Sequence, residues 1–244
     1  TAGSTINCTT LSITAGSAIT QSAAWTVTGA SSFTTGAAAI TLTQGANNFT
    51  GEVALTNTGA FNIAVTDTNA LVTGNISMGT AAAGTLTLTC VGLTQSGVTT
   101  IATGTGAVTI GAGAGVITLT NSNDFNGSVS LTNTGANAIA ITDTDNLDIS
   151  LVSMSAASAG TLAITCVGLT QSGAISTGTG TTTVNAGAGV ITLTQAANNF
   201  RGAVSLNNSG ANAVAITDTD AIDSGASSLG SSTFTVIAGG ASTQ

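Results

Sequence analysis

Apolar and polar residues alternate with a period of two in short runs such as Ile117-Thr118-Leu119-Thr120 and Ala138-Ile139-Ala140-Ile141. This period sends successive side chains to opposite faces of a strand, so each run predicts a short β-strand with one aliphatic face. Gly, Asn, Asp and Ser collect between the runs and predict tight turns. No stretch carries a 3.6-residue period with caps, and the absence of Pro leaves every backbone N–H free to join a ladder. The expectation is an all-β chain. Ile117, Leu119, Val129, Leu131, Ile139 and Ile141 should point inward with their counterparts, and the intervening Thr and Ser outward.

The pattern recurs on a larger scale. The segment from Ile40 to Asp67 returns from Ile117 to Asp143 and from Ile191 to Asp218, and the block Thr89 to Gly97 returns from Thr165 to Gly173. Cuts after the Thr-Gln pair of this second block divide the chain into super-repeats 22–95, 96–171 and 172–244, preceded by a lead-in, 1–21. Residues 1–244 are read as a single β-solenoid, because stacked repeats bury a continuous core that no one repeat could bury alone. Two strands per turn would make about four coils of ~19 residues per ~75-residue super-repeat, and three would make about three of ~25; four is preferred. The whole chain would then be about 13 coils, a rod of roughly 60 Å. An outer-membrane barrel would need aromatic girdles, and the chain has one Trp, six Phe and no Tyr. A sandwich does not predict near-identical turns every ~75 residues.

The succession of AGSAITQS, a Gly/Ala-rich turn, ITLT, NNF-x-G, VSLNNSGAN and AVAITDTDA resembles the repeats of large filamentous haemagglutinin-type bacterial adhesins over essentially the whole chain. The resemblance implies a right-handed parallel β-helix, secretion to the cell surface and a role in an adhesin stalk or extracellular fibre. It carries over no catalytic residue. The chain departs from its own pattern at Cys90 and Cys166, where the lead-in and the last repeat have Ala-Gly.

Composition narrows the chemistry. Nine acids against Arg201 give a net charge of −8, so no basic patch exists to neutralise phosphates and no nucleic-acid partner is expected. No apolar run reaches the ~18 residues of a membrane helix, and no membrane insertion is expected. Hydrophobic residues make up 42% of the chain but aromatic ones only 3%, which predicts a slim aliphatic core. Phe49, Phe125 and Phe200, each two residues before a Gly, are expected at equivalent corners plugging the same gap. Without His, Lys or Tyr, no Ser or Thr has a base to activate it. The expectation is therefore no enzyme: no catalytic residue, no cofactor and no metal.

Several residues nevertheless invite a site. Asp143, Asp145 and Asp148 recur as Asp218, Asp220 and Asp223, whereas the first unit has Asp67 and Asn69. Oxygen ligands so spaced suit Ca²⁺, but an Asx-turn bonding its own backbone is the preferred reading. Cys90 and Cys166 lie a super-repeat apart, too far to bridge, and read as small inward hydrophobes; Cys8 is left over. The triplets at Asn7, Asn48, Asn75, Asn126 and Asn207 match the glycosylation pattern, and in a chain this rich in Asn, Ser and Thr chance makes most of them. Thr-x-Thr pairs such as Thr41/Thr43, Thr118/Thr120 and Thr192/Thr194 raise ice binding, although their spacing argues against a shared face.

These readings converge on a mechanical role, that of a structural shaft or subunit of a secreted, extracellular or cell-surface bacterial filament. The alternatives are a surface- or carbohydrate-binding adhesin segment and, less favoured, an ice-binding Thr array. The expected partner is the fold itself, through head-to-tail stacking or continuation of a longer solenoid, with a host or matrix surface as a further contact. The likeness of Leu11 to Gln21 with Thr233 to Gln244 motivates that expectation.

Overall fold

The computed structural model describes residues 6–79, 83–230 and 233–244. They form an all-β parallel solenoid with 26 strands and no helix among the described residues. Two long sheets make its faces. In the first, ten strands succeed one another from Leu11–Ala15 to Val204–Asn207; the second runs from Ile19–Thr20 to Phe234–Ala238. A short third sheet pairs Ile6–Cys8, Trp25–Val27 and Asn48–Phe49 at one corner. Ten stacked turns at about 4.8 Å make a rod of roughly 48 Å, shorter than the 60 Å expected from 13 coils.

Register explains the difference. Ile40 pairs with Ile63, Ile63 with Leu86 and Leu86 with Val108, so one turn consumes about 22 residues, not 19. The turns are longer than the alternation alone suggested because polar corners take up residues that no strand uses. Three turns carry the second face from Ile40 to Val108, and the counterpart of Ile40, Ile117, lies half a turn further on, in the first face. From Ile117 the first face climbs through Ile139 and Leu162 to Thr182, and another half-turn reaches Ile191, back in the second face. The super-repeat is therefore about three and a half turns, and each recurrence of a block lies on the side opposite the last.

Within every turn the alternation behaves as its chemistry requires. Ile117, Leu119, Val129, Leu131, Ile139 and Ile141 are at most 1% exposed, while Thr118 is half-buried and Thr120 exposed. Aliphatic side chains from both faces join in one continuous core. Trp25, Phe33 and Phe49 add an aromatic trio at one end of it, with ring centroids 5.9 and 6.0 Å apart.

The Gly/Ala-rich turns serve close approach. Gly92 has φ +102°, and a Cβ on Gly115, one turn later, would stand 2.4 Å from the Gly92 backbone. Gly168 and Gly189 repeat this arrangement. Two corners can stack at ladder spacing there only because neither carries a side chain.

Candidate functional site

The polar corners between faces hold the chain's unusual chemistry, and they follow one plan three times. Asn47, Asn123 and Asn198 are fully buried, each just beyond an ITLT strand. Each is gripped by the glutamine of a Thr-Gln pair about one turn earlier, Gln21, Gln95 or Gln171. Gln21 Nε2 donates to Asn47 Oδ1 at 2.8 Å while Asn47 Nδ2 donates to Gln21 Oε1 at 2.9 Å. Gln95 with Asn123 and Gln171 with Asn198 form the same reciprocal amide pair. The asparagine oxygen also accepts a backbone N–H, from Trp25, Ile101 or Ile175, at 2.9 Å in each case. Its Nδ2 reaches strand carbonyls such as Leu42 or Leu119. A buried amide needs these partners, and the fork closes a corner that backbone ladders leave open.

Two residues after each asparagine comes the phenylalanine. Phe49, Phe125 and Phe200 are at most 2% exposed, in corners that are locally equivalent but do not plug one and the same gap as expected. Phe49 and Phe200 lie where the second face passes to the first, and Phe125 at the opposite edge, as the half-turn demands. The backbone N–H of each donates to a buried aspartate of the next turn: Phe49 to Asp67 at 3.1 Å, Phe125 to Asp143 at 3.0 Å, Phe200 to Asp218 at 3.2 Å. In all three aspartates Oδ1 is engaged and the buried Oδ2 has no hydrogen-bond partner. Burial raises their pKa values, to about 6 for Asp67 and Asp143, against the lowering effect of the backbone donors.

The residues singled out as metal candidates separate. Asp148 turns away to accept from Ser172 Oγ at 2.7 Å. Asp143 and Asp145 do come together, joined by a residue that sequence spacing did not flag, Asp124; one oxygen of each lies within 4.8 Å of the other two. Asp124 is legible only in retrospect, as the acid standing where Asn48 and Asn199 stand before the other corner phenylalanines. In the third unit Asn199 Nδ2 donates to Asp220 at 3.2 Å, and Asp223 instead accepts from Thr243 Oγ1 at 3.4 Å. In the first, Asn69 Nδ2 donates to Asn48 Oδ1 at 2.9 Å.

Cys90 and Cys166 are buried and unbridged, with their thiols pushed up to about 12 by burial and by the neighbouring Asp67 and Asp143. At neutral pH they stay protonated and serve as packing groups. Cys8 is half-buried and also free. Thr41 and Thr192 stand on the second face and Thr118 on the first, so the Thr-x-Thr pairs are divided between opposite sides.

No curated protein and no solved structure matches the chain. A family model described as repeats of unknown function (DUF5649) matches residues 1–56, 60–132 and 135–207, a phase different from the cuts after Thr-Gln. Three successive matches of this kind, over more than four-fifths of the sequence, agree with the repeated corners, and the chain, a β-solenoid, belongs to that family of repeats.

Proposed function

We propose that the chain is a shaft segment of a secreted bacterial filament or adhesin and works by length and stiffness, without catalysis. The observation that carries this reading is the unbroken stack of ten parallel turns around one continuous core. Its corners use their polar groups to close the fold, and its outward positions are mostly Thr, Ser and Asn. Haemagglutinin-type character and extracellular location rest on the sequence resemblance.

The partner in this reading is more of the same fold. Phe234–Ala238 pairs with Val214–Asp218 in the same parallel register as the turns before it, and Phe234 and Ile237 are 44% and 58% exposed. A further turn, in the same polypeptide or in a second copy, would cover them. Electron microscopy and sedimentation of the purified chain test the proposal. Rods joined end to end are expected, and compact particles that never associate would refute the stacking. A glycan array separates the alternative: a specific carbohydrate signal would move the function from shaft to receptor binding.

A further inference from the structure

The middle aspartate corner differs from its two counterparts in a way the fold does not require. Its neighbours in the chain tie the flanking positions with an amide, Asn69 to Asn48 in the first unit and Asn199 to Asp220 in the third. In the second unit those positions are Asp124 and Asp145, which when ionised can only accept. Asp143 beside them is 3% exposed. Its Oδ1 accepts from the backbone N–H groups of Phe125 and Thr144, each at 3.0 Å, and its buried Oδ2 has no partner. Among the described residues the group receives one side-chain amide, Asn126 Nδ2 to Asp124 Oδ1 at 2.7 Å.

Three carboxylates this close need a counter-charge. The chain has neither Lys nor His, and Arg201 is engaged elsewhere, with Ser176 Oγ and the Thr177 carbonyl. The charge must therefore come from solvent. We propose that Asp124, Asp143 and Asp145 bind one hard divalent cation, Ca²⁺ in preference to Mg²⁺, with water completing its shell. Oxygens that share a cation through bonds of about 2.4 Å, the length of a Ca²⁺–oxygen bond, must lie within twice that distance of one another, and the three oxygens, all within 4.8 Å, meet that condition. An irregular corner with three anionic oxygens suits the flexible coordination of Ca²⁺ better than the strict octahedron of Mg²⁺. Three protein ligands and water correspond to the weak class of extracellular calcium modules, with a Kd of about 10⁻⁴ to 10⁻³ M. The site is independent of the shaft reading and would stand if that reading fell.

The test uses the 244-residue chain, stripped with chelator and titrated with CaCl₂ at pH 7.5 by calorimetry, with MgCl₂ as the comparison. One Ca²⁺ per chain is expected, with Tm raised by about 3–5 °C once calcium reaches roughly ten times Kd. Asp145→Asn recreates the residue found in the first unit and should fold, lose the calcium response and melt above the parent in the absence of calcium. Asp124→Asn, which recreates Asn199 of the third unit, should lose the response as well. A parent with neither heat nor Tm shift at about 10 mM CaCl₂, well above that Kd range, overturns the proposal. So does an Asp145→Asn variant that responds like the parent. A rise in Tm on acidification with no effect of calcium would assign the counter-charge to a shared proton and overturn it too.

Discussion

The corner around Phe125 and the corners around Phe49 and Phe200 lie on opposite edges of the solenoid, yet their wiring is the same. Each has a buried asparagine gripped by a glutamine from 26 to 28 residues earlier and a phenylalanine N–H bound by an aspartate 18 residues later. A corner's structure is thus fixed by its block of sequence and by the turns directly above and below, not by the side of the rod it occupies. Where the corners differ, a few side chains account for it: Asp124 stands where the other corners have an asparagine, and Phe33 lies beside Phe49, whereas among the described residues Phe125 has no ring contact.

The severest test of that equivalence is to empty each corner in turn. Phe125→Ala should cost about 3–5 kcal/mol by urea titration, and Phe200→Ala a similar amount, because both rings are buried in the same setting. A loss below about 1 kcal/mol at either would show that the edges are not equivalent. Phe49→Ala should fall at the top of the range, since it also loses an edge-on contact with Phe33.

Breaking the amide fork should come next. Asn123→Ala leaves the Ile101 N–H without a buried partner, strips the Gln95 amide of its reciprocal bonds while leaving it Thr99 and Asn121, and should cost about 2–3 kcal/mol, with Asn198→Ala matching it. Widely different values for the two would mean that the fork is incidental to one corner.

A smaller effect concerns pH. Asp67 has a folded-state pKa raised to about 6 from an ordinary value of 3.8, chiefly by burial, and Asp218 is raised as well. The folded state therefore binds these protons more tightly than the unfolded chain does, and the resulting stability is lost as pH rises through about 6. Unfolding midpoints in urea should be higher at pH 5 than at pH 7. Asp67→Asn should flatten part of that slope; an unchanged slope would show that Asp67 does not carry it. Least of all should change at Thr118→Val, an outward position expected to stay within about 0.5 kcal/mol.

The alternation of Ile117 and Leu119 with Thr118 and Thr120 was enough to read strands, their inward sides and a solenoid. The number of turns per super-repeat was not legible, because a repeat counts residues and a turn counts ladder partners. Leu71–Ser77 runs as one irregular strand, whereas the next turn splits the same path into Leu93–Gln95 and Ile101–Thr103 around a loop. Counting strand-like runs therefore overestimated the turns. The Thr-Gln pair was visible as a marker of the repeat, but its role depends on Asn123 lying 28 residues from Gln95, a contact made only once the coils stack. Asp124 escaped notice for a related reason: its acid partners, Asp143 and Asp145, belong to the next turn.

The half-turn left over in each super-repeat also bears on how such a chain can vary through time. Adding or removing a whole super-repeat is the simplest change of length open to a chain built of stacked repeats. Here each such event changes the rod by about 17 Å and, in the same step, turns everything beyond it through half a revolution. Chains differing by an even number of blocks would present the turns that follow on the same side, and those differing by an odd number on opposite sides. Length and facing are inherited together.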